Sequence, residues 1–370
     1  MRKSKKLGPV RVLSLLIALT GVASLALWSE VSVAPAGGAK AIQIRRTNHG
    51  FYRTEPNRPI FILAIGSDAG SPRYKREGPA DRGRADSIHI IAINPERKAG
   101  TIVGIARDTY VSAPGFGGKI NGALAAGGPD LMVEVVEDLT GITFDYWMLV
   151  SFEGFEDMIN EIGGVVVDIP YSITDRYSRS KFDKGQQVLG GFQALAFARN
   201  RYDAPRGDFS RSENQGLIML GALRHARAET FKDPGRYLHY LKVLFKHVAT
   251  DLSVDEALQL GMLATQIQTT AIANVVADGY PTMLGGASIV RLTSSADALF
   301  ADVADNAIID DPKVLNPGPR PTLPRETDEP LPEPEPSHSP SPSESETFEP
   351  LPDPLPTESE SATPDPSPSG

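Results

Sequence analysis

The 370-residue chain contains no cysteine. That absence removes a disulfide framework, thiol nucleophiles and thiolate-ligated metals together, so the fold must rest on its apolar core. Histidine is sparse, and His49, His89, His225, His239, His247 and His338 stand at no spacing that suits a metal site. There is no Walker A loop and no G-x-G-x-x-G, which leaves nucleotide binding without a sequence basis. Ser67 does not sit in a G-x-S-x-G elbow and no histidine stands out as its base, so serine-hydrolase chemistry is not expected.

The two ends differ from the middle. Five cations in the first eleven residues precede an uncharged apolar run from Val12 to about Trp28. The run sits at the short end of the length that crosses a bilayer, and its cationic flank orients the N-terminus to the cytoplasm. One reading is an uncleaved signal anchor over residues 12–30; the other is a signal peptide cut after Ala34-Pro35-Ala36. Proline inside that site and the length of the apolar core favour the anchor, and either reading exports the remainder.

At the other end, residues 311–370 are dominated by Pro, Ser, Glu, Thr and Asp, with three Lys/Arg against thirteen Asp/Glu. Such a composition buries too little apolar surface to offset ordering entropy, so a disordered tail is expected. The tail carries −10 of a total of −9, leaving about +1 for everything before it. An exported domain without a basic stripe gives no reason to expect a nucleic-acid partner. The expected organisation is a basic cytoplasmic segment (1–11), the anchor (12–30), a linker (31–58), one catalytic domain (59–310) and the tail (311–370).

Within the domain, apolar β-branched runs at Ile60–Ile65, Ser87–Ile93, Thr101–Ile105, Tyr146–Val150 and Val165–Ile169 read as strands, several of them covered on both faces. Helical patterns lie between and after them: Asp130–Leu139 behind a Gly-Gly-Pro break, Phe152–Ile162 ending at Gly163-Gly164, and Phe192–Ala198. Further helices are expected from about Phe209 to Ala228, over Arg236–Ala249 and over Val254–Gln266. The alternation predicts a three-layer α/β/α sandwich with a mixed central sheet.

Charged motifs mark the strand ends and one helix junction. They are I-G-S-D (Ile65–Asp68), G-R-A-D-S (Gly83–Ser87), A-R-D-T-Y (Ala106–Tyr110) and the arginine-rich run Ala198–Gln215. Ligands of α/β sheets sit outside strand ends, and guanidinium forks match phosphate oxygens. The set therefore reads as a pyrophosphate site lined by Arg84, Arg107, Arg199, Arg201 and Arg211, with Gln215 one helical turn from Arg211. Asp68 and Asp86 are hard oxygen ligands of the kind Mg²⁺ takes beside phosphate oxygens and water. Asp208 reads as the N-cap of the following helix, while Asp203 and Arg206 read as turn residues around Pro205.

These blocks resemble the LytR–CpsA–Psr family of cell-wall enzymes over roughly Pro59–Arg227. The likeness continues through P-G-F-G-G-K-I-N (Pro114–Asn121), L-T-G-I (Leu139–Ile142), F-E-G-F (Phe152–Phe155) and G-G-V-V-V-D-I-P (Gly163–Pro170), and closes with Q-A-L-A-F-A-R-N-R and G-D-F-S-R-S-E-N-Q. The resemblance implies a single-pass cell-membrane protein with an extracytoplasmic catalytic domain. It implies a donor, a polyprenyl-pyrophosphate-linked glycopolymer whose lipid lies in an apolar channel, and an acceptor, peptidoglycan. Mg²⁺, or Mn²⁺ in its place, is the implied cofactor. Carried over by position, Asp68 and Asp86 hold the metal, Arg84, Arg107, Arg199, Arg201, Arg211 and Gln215 hold the pyrophosphate, and Asp68, Asp86, Arg107 and Arg201 are catalytic. Two departures stand out. Ala106 replaces a usual proline, and Asn214 replaces a usual arginine, so either Arg206 substitutes for that cation or the diphosphate is held less tightly.

The expected reaction is a phosphotransfer, in which positioning and cationic stabilisation of phosphoryl oxygens do most of the catalysis. Asp68, Asp86 and Asp208 are the candidates for accepting the proton of the attacking hydroxyl. A hydrolase using the same site with water as acceptor, and a non-catalytic binder of lipid-linked polymer, are the competing readings.

Overall fold

The structure is a computed structural model that describes residues 58–69, 83–175, 180–201 and 204–311. The cytoplasmic segment, the anchor, nearly all of the linker and the acidic tail beyond residue 311 lie outside the described residues, as do Tyr202 and Asp203. Among the described residues, no helix is long and apolar enough to cross a membrane.

In chain order come β1 (Ile60–Ser67), β2 (Ala85–Asn94) and β3 (Ala99–Gly104), then β4 (Tyr110–Ala113) and β5 (Phe116–Lys119). They are followed by α1 (Gly122–Thr140), β6 (Tyr146–Ser151), α2 (Phe152–Glu161) and β7 (Val165–Ile169). Next are β8 (Ile173–Asp175), β9 (Ser180–Phe182), β10 (Gly185–Leu189), α3 (Gly191–Arg199), α4 (Asp208–Lys232) and α5 (Arg236–His247). The last described elements are β11 (Val248–Thr250), α6 (Val254–Gln266), β12 (Ile272–Val276), β13 (Gly279–Leu284), β14 (Ala287–Leu292) and α7 (Ser294–Asn306).

Six strands form the central sheet in the order β11-β6-β1-β2-β3-β12. It is mixed, as expected: β1 pairs parallel with β6 and antiparallel with β2, and β3 pairs antiparallel with β2 and parallel with β12. The carboxyl ends of β1, β3, β6 and β12 therefore share one edge of the sheet. Helices cover both faces. Phe61, Leu63 and Ile65 of β1 enter a core with Val133 and Val136 of α1 and Phe300 of α7. The alternate residues Ile60 and Ile62 pack instead with Leu260 and Leu263 of α6. Two-sided burial explains why β1 reads as apolar throughout, and each fully buried Ile or Leu contributes roughly 1.5–3 kcal/mol.

A second core joins α2, α3, α4 and the β7–β10 pair through Ile159, Val165, Phe197 and Ile218. Gly191 lets α3 close on α2, because a Cβ there would lie 2.1 Å from the Glu156 carbonyl oxygen. Local rules account for the ends of several elements. Ser253 and Glu256 form a reciprocal capping box on α6. Gly163 and Gly164, both at positive φ, turn the chain after α2.

Three expectations need correction. The Gly-Gly-Pro segment does not precede the helix but lies inside α1, which begins at Gly122 and kinks where Gly128 leaves helical geometry at φ 73°. Pro129 then starts the second half, where its missing N–H costs nothing. Asp208 is the first residue of α4 and not its N-cap; Gly207, at φ 54°, takes that position. The α5 helix ends at His247, two residues short of expectation, because the chain passes directly into β11 at Val248.

Candidate active site

At the shared edge of the sheet, a cavity of about 740 Å³ opens between the strands and the layer formed by α2, α3 and α4. Its position follows from residue size along one face of β1. Ile60 and Ile62 fill their side of the sheet, but the next two residues on that face, Ala64 and Gly66, leave room. Ile91, Met148 and Val150 continue the floor, while Phe155, Leu195, Ile218 and Met219 form the roof. The greater part of the wall is thus apolar. The remaining part carries Asp86, Ser87, Arg107, Arg199, Asn200, Arg201, Arg211 and Gln215.

Asp86 reaches the cavity through a β-bulge. Gly66 pairs with Ser87 and Ser67 pairs with Ala85, so Asp86 is an extra residue on β2. Bulges re-aim side chains in this way. A Cβ on Gly66 would lie 2.9 Å from the Ser87 Cβ, so the close approach of the two strands here requires glycine.

Arg107, just beyond β3, donates to the Asp86 carboxylate. Burial opposes the Arg107 charge, but Asp86, by charge and hydrogen bond, together with Asp108 and Asp208, more than offsets it and raises its pKa above the ordinary value. From the first turn of α4, Asp208 lies 3.7 Å from Arg201 Nη1 and 3.3 Å from Arg211 Nη2. Arg211 is 5% exposed. Burial lowers its pKa; Asp208 and Asp86 counter this, while Arg107 and Arg201 add repulsion. Three cations of one wall therefore converge on two carboxylates, of which Asp86 lines the cavity and Asp208 does not.

The hydrogen bonding of this wall is incomplete within the protein. Arg107 Nε, Arg211 Nε and Nη2, and both polar side-chain atoms of Asn200 are buried without a hydrogen-bond partner among the described residues. The Arg211–Asp208 contact lies within ion-pair distance but lacks hydrogen-bond geometry. Buried polar groups are almost always satisfied, so these guanidinium atoms mark a place where the protein alone does not complete its hydrogen bonding. Gln215 braces it: its Nε2 donates to the Ala198 carbonyl at 3.1 Å and to the Asp86 carbonyl at 3.3 Å, tying α4 to the end of α3 and to the bulge.

Not every expected residue is part of this wall. Arg107, Arg199, Arg201, Arg211, Gln215 and Asp86 line the cavity; Asp68 and Arg84 do not. Asp68 Oδ1 accepts the Arg84 N–H at 2.8 Å, and the Asp68 N–H donates to the Arg84 carbonyl at 3.1 Å. This clamp holds the entry to the bulge, while the Arg84 side chain is exposed. Arg199 lies 4.8 Å from the centre of the Phe152 ring, at the junction of the charged and apolar walls. Arg206 does not replace the cation missing at Asn214: it turns outward to Glu213 at 2.9 Å, while Asn214 is buried and donates to the Phe197 carbonyl at 3.4 Å.

Two features are absent from the expected site residues. The first is the apolar wall, whose residues read as ordinary core. The second is Ser87, whose hydroxyl lies 3.1 Å from His89 Nδ1. His89 is fully buried, and its Nε2 lies 3.0 Å from the Ser212 carbonyl, so Nε2 carries the proton and Nδ1 accepts from Ser87. Burial lowers the His89 pKa to about 4, against a smaller opposing effect of the Ser212 carbonyl. The Ser87 oxygen is thereby left as an acceptor on a wall otherwise rich in donors. The period-two alternation Ser87, His89, Ile91 is the signal that connects these residues.

The site is thus the cavity of an α/β domain, cationic on one wall and apolar over the rest. The LytR_cpsA_psr family model matches residues 31–301, and the chain belongs to that family. Among its relatives is the polyisoprenyl-teichoic acid–peptidoglycan teichoic acid transferase TagU of Bacillus anthracis, 35% identical over 206 residues, or 55% of this chain and 64% of that protein. The protein of the same name from Bacillus mycoides is 32% identical over 251 residues, 66% of this chain and 78% of the relative. The chain thus spans somewhat under two thirds of the length of the Bacillus anthracis relative. The crystal structure of Bacillus subtilis TagV matches with a TM-score of 0.56 at 27% identity, covering 71% of this chain and 99% of that one.

Proposed function

We propose that the protein is a phosphotransferase that moves a phosphoglycan from a polyprenyl-pyrophosphate carrier to a sugar hydroxyl of peptidoglycan. The observation that carries this reading is the convergence of Arg107, Arg201 and Arg211 on a cavity whose other walls are apolar. A pyrophosphate balances the charge of these cations, and a polyprenyl chain occupies the apolar part. The names of the TagU relatives, which specify a polyisoprenyl-linked teichoic acid and peptidoglycan, support the same substrate classes.

In this reading Arg107, Arg201 and Arg211 hold the diphosphate and meet the charge that develops on its oxygens as the bond to the polyprenyl phosphate breaks. Arg199 supports them from the end of α3. The bidentate geometry of guanidinium fixes orientation as well as charge. Asp86 or Asp208 takes the proton of the attacking hydroxyl, and Ser87 presents an acceptor to a second donor of the substrate. Gln215 holds the Asp86 backbone in place.

The donor set suits Mg²⁺, or Mn²⁺ in its place: the carboxylate of Asp86 on the cavity wall, and that of Asp68 in the adjoining turn, are hard ligands, and phosphate oxygens and water complete such a shell. Bound there, the ion supplies charge neutralisation to the diphosphate. In the same reading the N-terminal apolar run anchors the chain in the cell membrane and places the domain on its outer side, where donor and acceptor both lie.

The test is incubation of the purified full chain with lipid-linked donor, Mg²⁺ and peptidoglycan fragments, followed by mass analysis. A glycan fragment heavier by the phosphoglycan supports transfer. Free polymer phosphate without that adduct supports hydrolysis instead, and unchanged donor that co-purifies with the protein supports a binding role.

A further inference from the structure

The outer face of α5 is built differently from every cavity wall. Of its twelve residues only Val243 is buried. Leu238 and Phe245, seven residues apart and so on one face, are 47% and 36% exposed, and Leu241 lies half-buried between them. The helix contains no acidic residue, and Arg236, Lys242 and Lys246 provide its cations. Across residues 224–247 there are six Lys/Arg and two Asp/Glu, a concentration of positive charge in a domain whose other residues are net negative. Lys246 is engaged by Glu161, whereas Lys242 is exposed beside Leu238 and Phe245.

The face also adjoins the cavity. Val248, the residue after α5, lines it, and α2, which carries Phe152 and Phe155 of the cavity wall, packs against the end of α5 where Gly154 meets the His247 carbonyl. We propose that this face of α5 seats the domain on an anionic lipid surface, with Leu238, Leu241 and Phe245 entering the boundary between headgroups and acyl chains. Lys242 and Arg236 remain at the level of the headgroup phosphates. An exposed apolar stripe flanked by cations, on a helix with no acid of its own, is the pattern of an interfacial helix, and long cationic side chains extend to the aqueous side as the apolar stripe sinks. The seat rests on the functional reading above in one respect: it gives the apolar end of the cavity a short path to the bilayer that supplies the lipid-linked donor.

The absence of cysteine makes a clean test possible. Leu238→Cys, Phe245→Cys and, on the β13–β14 hairpin, Met283→Cys each give a single site for a nitroxide in the full chain. The chain is reconstituted in vesicles of phosphatidylglycerol or of phosphatidylcholine, without substrate. The expected result is that labels at 238 and 245 gain collisions with oxygen and lose collisions with a water-soluble nickel chelate by several-fold in phosphatidylglycerol. The label at 283 stays aqueous, and adding Lys242→Glu and Arg236→Glu returns the first two to water. Aqueous labels at 238 and 245 in phosphatidylglycerol overturn the proposal. So does immobilisation of these labels that grows with protein concentration and needs no lipid, which assigns the face to a second copy of the chain. Because insertion is measured without turnover, inserted labels on a chain without transferase activity refute the functional reading and leave the lipid seat standing.

Discussion

Arg211→Met separates the contribution of a residue to function from its contribution to the fold. Met removes the charge while keeping most of the volume in a site that is 5% exposed. In the free protein Arg211 has unsatisfied Nε and Nη2 atoms, and burial works against its charge. Leaving a buried donor unsatisfied costs about 1–3 kcal/mol, and replacing buried charge by an apolar group of similar volume is often neutral or stabilising. Asp208 retains Arg201 as a partner. The melting temperature should therefore hold or rise, by roughly 2–4 °C for each kcal/mol gained in a domain of this size. Catalysis should move in the opposite direction. Removing one preorganised donor from a developing anion costs about 10²–10³ in rate, or roughly 2.7–4 kcal/mol of transition-state stabilisation. Calorimetry and a single-turnover transfer assay on the same preparation read both effects. A variant that melts several degrees lower yet transfers at the normal rate would refute the argument, because Arg211 would then be a structural ion pair.

Three further outcomes are expected. His89 titrates at about 4 in the fold and at about 6.5 unfolded, so the unfolded chain binds the extra proton first. Its stabilising contribution is complete above pH 6.5 and is lost as pH falls toward 4, at up to about 1.4 kcal/mol per pH unit; denaturant titrations of His89→Leu should lack that part of the acid slope. Gly191→Ala drives a methyl group into the Glu156 carbonyl, and urea midpoints should report a loss of about 1–3 kcal/mol from the contact of α2 with α3. Phe155→Asp places a charge on the apolar wall; KM should rise about tenfold or more for a long polyprenyl donor and hardly at all for one truncated to a few carbons, and equal effects on both would remove the lipid from the cavity.

Much of the fold was legible because its strands are buried on both faces. Uninterrupted apolar runs such as Ile60–Ile65 leave few alternatives, and Val165–Ile169 was read to the residue. The Ile272–Val276 strand was missed because all five of its residues are only half-buried at the edge of the sheet, where the pattern weakens. In the site, arginines at strand ends were visible as chemistry without geometry. Asp68 and Asp86 looked equivalent, yet a backbone irregularity directs Asp86 into the cavity while Asp68 clamps the turn. The apolar wall could not be separated from core, since Phe155 and Leu195 use the same side chains for a cavity that Ile159 and Phe197 use for packing. Arg206 illustrates the reverse case: a cation placed near the others by sequence is taken by Glu213 on the outside.

The bulge in β2 changes the parity of the strand. Beyond it, the even positions Ile88, Ile90 and Ala92 enter the core beneath α1, while the odd positions Ser87 and Ile91 reach the cavity. Before it, Ala85, an odd position, belongs to that same core. Counted without Asp86, the strand alternates without a break from Ala85 onward. The carboxylate that meets Arg107 is thus arithmetically superfluous to the sheet: it occupies a place that the ladder does not count, and the rest of β2 would keep its faces if that place did not exist. A charged group has entered this fold as one uncounted residue, so the cavity wall can be altered there at little cost to the architecture that presents it.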